Sequence, residues 1–291
     1  KIRNRGDLVE FTLDGTITPE TDTTSTLDLD FNLEKFDLST LEEMMAEQIS
    51  ESSGTLSGNV TIDGSSSDPQ FEGKFSFADV ALKPSGSEAK YFVDGQTLSV
   101  TPRKIDLNGF TIRDKNRSKL QLGGKIEHDN FTKPRLDVTV KAEDFMLVDI
   151  KDGAGLGLYG KLVADLDLDI TGKIAAPRVK ADIRINKPTD FSYLVSESAD
   201  REAFDETLLV WKNFEEETEN AILTRTKEKA GSGGNIFANN PKITGNLNID
   251  KSAVFRVVID SSAGDYLQIQ GSAKLSIDYD RTGALRFNGI Y

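Results

Sequence analysis

Apolar and polar residues alternate along most of this chain. The clearest run is Leu162-Val-Ala-Asp-Leu-Asp-Leu-Asp-Ile170, and Leu27-Asp-Leu-Asp-Phe-Asn-Leu33, Arg135-Leu-Asp-Val-Thr-Val-Lys-Ala142 and Lys274-Leu-Ser-Ile-Asp-Tyr-Asp280 repeat it. A period of two predicts strands with one apolar face and one wet face. Residues 7–36 read as strands joined by Thr/Ser-rich turns, with Leu27, Leu29, Phe31 and Leu33 on one face. From Gly54 onward the pattern is nearly continuous, with runs at 55–63, 70–78, 97–102, 120–127, 134–141, 158–170 and 178–186. It resumes at 243–250, 254–260, 267–271, 274–280 and 285–289. Asp63-Gly64, Asp94-Gly95, Asn108-Gly109 and Thr282-Gly283 supply the turn chemistry between runs. Phe75 and Phe77 stand on odd positions while Val80 and Leu82 stand on even ones, so a bulge is expected near Ala78-Asp79.

Two segments break the period. Ser39-Thr-Leu-Glu42 has the form of a capping box, and Leu41, Met44, Met45 and Ile49 then make a helical stripe, which predicts a short helix over 39–49 capping one end of a sheet. Residues 197–240 hold the chain's one tryptophan, Trp211, on a helical stripe with Phe204 and Leu208. They also hold the charged run Glu215-Glu-Glu-Thr-Glu219 and Gly231-Ser-Gly-Gly234, which together predict a helical and flexible insert. The flanking regions, 1–196 and 241–291, read as one interrupted strand system. A weak repeat runs through it. Gly54–Gly64 followed by Asp68–Phe75 matches Tyr159–Gly172 followed by Ala176–Ile183: strand, glycine turn, proline, return strand. Asn240–Ile249 echoes the proline and its return strand.

Composition narrows the function. A net charge of −13 argues against nucleic acid and against docking through a basic patch on anionic lipid heads. The absence of cysteine excludes disulfides, thiolate metal sites and a cysteine nucleophile. No apolar stretch approaches the length of a transmembrane helix, and no signal peptide is recognisable. The chain starts at Lys1 without Met and stops at Tyr291 in mid-pattern, and so reads as a piece of a longer protein. The single histidine, His128, is expected on an exposed turn, with no second imidazole for a metal site or triad. Asp165, Asp167 and Asp169 stand on one strand face and read as a solvated ladder. No glycine-rich phosphate loop is present. Neither catalysis, nor a cofactor, nor a metal is expected.

What remains is the apolar phase. Roughly sixteen strands at ~4.8 Å spacing would make a sheet ~75 Å long, and such a sheet needs a second layer. A sandwich, a filled solenoid, and a lengthwise fold into an apolar trough all meet that need.

Leu56-Ser-Gly-Asn-Val-Thr-Ile-Asp-Gly64, with Asp68-Pro-Gln-Phe-Glu-Gly73 after it, resembles the signature of the TamB family of Gram-negative envelope proteins. So do Leu27–Leu38 leading into a short helix and the closing Gly264–Ile277 with Gly289-Ile-Tyr291. The order of elements is similar to the C-terminal part of a Bacteroidota-type TamB. The resemblance implies an all-β fold: a long curved sheet folded into an open trough (a β-taco) with an apolar interior, plus one or two short helices. It implies a periplasmic place, in a longer protein anchored in the inner membrane by a segment absent from this chain. The 241–291 part would be the same trough, truncated at its C-terminal end. The implied partners are phospholipid acyl chains and an outer-membrane barrel of the BamA superfamily, TamA-like. The implied function is phospholipid movement between the two membranes, or alternatively a scaffold or chaperone for outer-membrane barrel assembly. On the lipid reading, the floor of the groove is expected at Leu162, Leu166, Leu168, Ile170, Val179, Ile183, Ile185, Val257, Ile259, Leu267, Ile269, Leu275, Ile277, Leu285 and Phe287. Each acyl CH₂ kept from water there gains about 0.8 kcal/mol.

Overall fold

Strands with one apolar face pair edge to edge until nothing is left to pair. In the computed structural model, which describes residues 1–21, 23–128, 134–151, 157–194, 241–260, 264–280 and 285–290, they do so in one nineteen-stranded sheet. The first five strands form a meander: β1 (Ile2–Arg5), β2 (Val9–Pro19), β3 (Ser25–Asp37), β4 (Ile49–Ser65) and β5 (Asp68–Pro84). The next two rungs are each split into two collinear pieces. β6 (Tyr91–Val93) and β7 (Gln96–Thr101) both pair with β5, and β8 (Lys104–Asp106) and β9 (Thr111–Asp114) both pair with β10 (Lys119–Glu127). β11 (Arg135–Ile150) and β12 (Leu158–Lys173) follow as long unbroken rungs. β13 (Arg178–Ile185) with β14 (Asp190–Leu194), and β15 (Lys242–Ile249) with β16 (Val254–Asp260), are again split. β17 (Asp265–Gln270) pairs with β16, β18 (Ala273–Tyr279) with β15, and β19 (Leu285–Ile290) with β18.

The splits align into a crease that runs across the sheet. In the unsplit rungs, bulges stand at that level. Ser53 and Thr55 of β4 face Ala81 and Ala78 of β5, which leaves an extra residue where the phase slip predicted one. Ala142 and Phe145 of β11 face Leu166 and Ala164 of β12 in the same way. Asp79 (φ 53°) and Asp144 (φ 47°) take the left-handed conformation that such bulges use. Turn chemistry therefore has another job here than the one expected of it. Asp94-Gly95 and Asn108-Gly109 reverse nothing; they kink rungs that carry straight on. Asp63-Gly64 lies inside β4, and the reversal falls at Ser66-Ser67. Thr282-Gly283 lies outside the described residues.

The helix is shorter than predicted. α1 covers only Thr40–Met44; Met44 and Met45 face solvent, and Ile49 opens β4 opposite Pro84. Ser39 makes no side-chain cap. Its N–H and hydroxyl both donate to Asp37 Oδ1, while Glu42 Oε1 accepts from the Ser52 N–H at 2.6 Å. The capping box is dissolved by a strand that recruits its glutamate, and only Leu41 of the stripe packs inward. The helical stripe predicted around Trp211 lies outside the described residues.

One junction is parallel. β13 runs beside β15 with Arg178 opposite Lys242, and β14 runs beside β16 with Asp190 opposite Val254. A parallel pair needs a crossover. The chain leaving Leu194 must return along the whole rung, roughly 55 Å at 3.3 Å per residue, before β15 can begin. Residues 195–240 are that connection, which gives the break in the alternation a topological reason. Pro177 and Pro241 hold equivalent places ahead of the paired strands, and the Lys242 N–H donates to the Pro177 carbonyl at 2.9 Å. The internal repeat is this register seen in sequence.

Burial concentrates in the middle rungs. One cluster joins Leu38, Val80, Val93 and Phe110; a second joins Leu107, Val138 and Val140. A third gathers Ala142, Phe145, Ala164, Leu166, Ile185 and Ala253. Close backbone approach on this face has its own requirement. Gly160 has φ 109°, and a Cβ there would lie 2.1 Å from the Asp190 carbonyl oxygen. Gly160→Val is expected to cost about 1–3 kcal/mol, whereas Gly271→Ala, with open space around it, should stay within about 0.5 kcal/mol. Urea unfolding midpoints of the two variants check the difference.

Candidate functional site

Most of the apolar phase points to one side of the sheet, because antiparallel and parallel ladders both keep directly opposed residues on one face. Met146, Val163 and Val258, buried on the other parity of their strands, are the exceptions. The registers can be followed strand by strand. Leu120 faces Ala142, then Leu166, Ile183, Leu247, Leu275 and Gly289. Leu122 faces Val140, then Leu168, Ala181, Gly245, Ile277 and Phe287. A third column crosses the first half of the sheet through Leu13, Phe31, Val60, Gly73, Val100, Ile105, Ile126 and Leu136.

The residues expected on the floor sit in these columns or beside them. Ile170 faces Val179, Ile185 faces Ala164, Val257 faces Leu267 and Ile269 faces Phe255. Leu162 joins the central cluster. Leu285 stands opposite Tyr279 in the backbone register. Ile259 is the exception: it falls at a bulge between Val258 and Asp260 and has no direct partner on β17. Sequence reading passed over Val138, Val140, Leu247 and Phe255, which belong to the same face. The signal was present, since all four continue the alternation of their own strands.

The face is not uniform along the sheet. Leu166 and Ile185 are buried, whereas Ile259, Leu267, Ile269 and Phe287 are 50–53% exposed. The apolar surface is thus covered by its own side chains in the middle rungs and open toward β16–β19.

On one side of the middle, the wall is closed by side chains. β9 and β10 end at the Asp114–Ser118 turn, so β11 beyond Phe145 lacks a strand on that side and meets residues 87–91 instead. Asp114, almost fully buried, accepts from the Asn116 and Ser118 N–H groups through Oδ1 (2.8 and 2.9 Å) and from the Met146 N–H through Oδ2 (2.9 Å). The Tyr91 hydroxyl donates to the Leu147 carbonyl (2.9 Å), and the Ser87 hydroxyl to the Asp149 carbonyl (3.0 Å). The Glu88 N–H adds one backbone bond to Asp149, and Lys115 pairs with the Asp149 carboxylate. On the inner side the Tyr91 and Phe145 rings stack, with centroids 5.7 Å apart and planes within 9°. Burial pushes the Tyr91 phenol up to about 12, and the negative charges of Asp114 and Asp149 act in the same direction.

The opposite face is largely polar, apart from buried Met146, Val163 and Val258. Asp167 and Asp169 are exposed, and Asp167 pairs with Lys141; Asp165 instead accepts from Asn186 Nδ2 and from the Asp144 N–H. Glu51, bridged by Lys90 and Lys83, has its carboxyl held down at about 2. His128 is buried, not on an exposed turn, and its N–H donates to the Arg103 carbonyl. Among the described residues no group of His, Asp and Glu is arranged to hold a metal ion. Among them, too, no helix is long and apolar enough to cross a membrane.

A family model described as the TamB C-terminal domain matches residues 3–103 and 108–291. No curated protein and no solved structure matches the chain.

The Tyr91 environment has a measurable signature. A spectrophotometric titration should show one of the six tyrosines resisting ionisation until about pH 12, and Tyr91→Phe should remove that component. Because the folded state raises this pKa, the stability it lends is complete below about pH 10 and is lost as pH rises toward 12.

Proposed function

We propose, for a chain that belongs to the TamB family of cell-envelope proteins, that the apolar inner face carries phospholipid acyl chains through the periplasm between inner and outer membranes. The observation that carries this reading is the continuity of the face. The columns run from β10 to β19 without a charged residue in them. An acyl chain moving across the open rungs would exchange one apolar contact for the next, each CH₂ kept from water gaining about 0.8 kcal/mol. The polar head stays in solvent. No reaction is assigned to the chain, and it needs neither cofactor nor metal. The order of elements favours a Bacteroidota-type member, in a longer protein anchored in the inner membrane. Its distal partner would be an outer-membrane barrel of the BamA superfamily, TamA-like.

A second reading rests on a different observation. β19 pairs with β18 along one edge, and among the described residues its other edge carries no strand. Such an edge can receive a nascent barrel strand by strand addition, which would make the protein a scaffold or chaperone in outer-membrane protein assembly.

Lipid extraction and native mass spectrometry of the purified chain separate the two. The groove reading expects bound phospholipid, reduced at least tenfold by Ile269→Arg or Ile277→Arg. Ile269 is 52% exposed, so its variant should keep the fold and melt like the parent. Equal lipid content in a folded Ile269→Arg protein would sink the groove reading, and an absence of lipid from the parent favours the scaffold. In the full-length protein, unchanged lipid transfer with Leu168→Arg or Ile277→Arg in a correctly folded protein would have the same force.

A further inference from the structure

The wall between residues 87–91 and β11 differs in kind from the rungs around it. Elsewhere in this part of the sheet, neighbouring strands are held by repeated backbone ladders: β10 and β11 share eight residue pairs, and β4 and β5 share fifteen. Above Ala142 the free edge of β11 keeps one backbone bond, from Glu88 to Asp149. Its other bonds on that side come from four side chains: the Asp114 carboxylate, the Tyr91 hydroxyl and the Ser87 hydroxyl to its backbone, and Lys115 to the Asp149 carboxylate. The junction lies over the central apolar cluster, with the Tyr91–Phe145 stack as its inner surface.

Opening a ladder exposes a row of amides and carbonyls together, and the cost accumulates along the row. This junction has little ladder to lose. Asp114 keeps its Asn116 and Ser118 partners when Met146 moves away, since both belong to its own turn. Lys115 and Asp149 are charged groups that water solvates readily. Tyr91 ends its short strand β6, which shares two residue pairs with β9 and three with β5, so the ring can leave Phe145 by a side-chain rotation while the strand stays paired. Local opening is favoured where few backbone bonds must be released together; the apolar contacts of Ala89, Phe145 and Met146 are what hold this seam shut.

We infer that this side-chain seam is a lateral portal in the trough wall, through which an acyl chain reaches the central apolar cluster without travelling from an end of the sheet. The inference rests on the acyl-chain reading of the inner face. The portal is closed in this structure by the Tyr91–Phe145 stack and the Asp114–Met146 bond.

The chain contains no cysteine, so a Ser87→Cys, Asp149→Cys pair can be joined cleanly by a short bis-maleimide. A second pair, Asp63→Cys and Gln70→Cys, stands directly opposed in the β4–β5 ladder and serves as the linked control. Uptake of a pyrene-labelled phosphatidylglycerol from vesicles is measured for each, linked and unlinked, alongside amide exchange. The portal predicts that linking 87 to 149 slows uptake about tenfold while linking 63 to 70 does not. It also predicts that the amides of Met146–Ile150 exchange sooner than those of Val138–Ala142 in the same strand, and that Tyr91→Phe hastens them further. Equal uptake by the linked and unlinked 87–149 pair, with early exchange at 146–150, would overturn the portal and leave the groove standing. Equal protection along β11 would overturn it through the opening itself. Failure of every form to take up lipid would remove the groove reading and the portal together.

Discussion

The structure depends on one constraint: a very large sheet whose apolar residues fall mainly on one face has no other layer to lay that face against. Ordinary domains solve this with helices or a second sheet. Here the one described helix has five residues and contributes one leucine. The remaining solution is for the sheet to close on itself, and the crease makes that possible. Bulges and split rungs stand at one level from β4 to β18, so each rung bends at the same height and the apolar side chains of its two arms approach one another. In the middle rungs the approach is complete enough to bury Val138, Ala142, Leu166 and Ile185. Toward β19 it is not, and large apolar side chains remain in contact with solvent.

The strands and their inward phase were legible because a period of two is a strong signal and the chain repeats it in nearly every rung. The prolines at 177 and 241 even carried the register of the parallel junction. The crease was not legible, because Asp-Gly and Asn-Gly have the same local conformational meaning whether the chain reverses or only kinks. Whether the strand resumes in the same direction is decided by its neighbours. The helix over 39–49 failed for a similar reason: Glu42 had a local use as a cap and a long-range use at Ser52, and the long-range one won. His128 is separated from Arg103 by the whole of β8, β9 and β10, so no local pattern could report its burial.

The acidic balance of the chain belongs to the same design. The inner face takes the apolar phase, so charge is left to the outer face, the turns and the rims. There, exposed pairs such as Lys141–Asp167 and Lys1–Asp14 contribute little to stability. The polar groups that matter energetically are few and buried. Asp114 stitches a turn to a strand edge, and Thr189 exchanges hydrogen bonds with both the N–H and the carbonyl of Val163 at the crease. Each stands where a rung ends or breaks and a carbonyl or amide would otherwise lack a partner.

The early ending of β9 and β10 also has a consequence for shape. Between β5 and β11 one rim of the trough counts four strand spacings, through β7, β8 and β10, while the other counts two, through the 87–91 segment. At about 4.8 Å per spacing, one rim is shorter than the other by roughly 10 Å. Such a missing wedge acts in a sheet as a dislocation does in a crystal. Such a wedge turns the long axis toward the shorter rim, so a trough assembled from such rungs takes its direction from where individual strands stop.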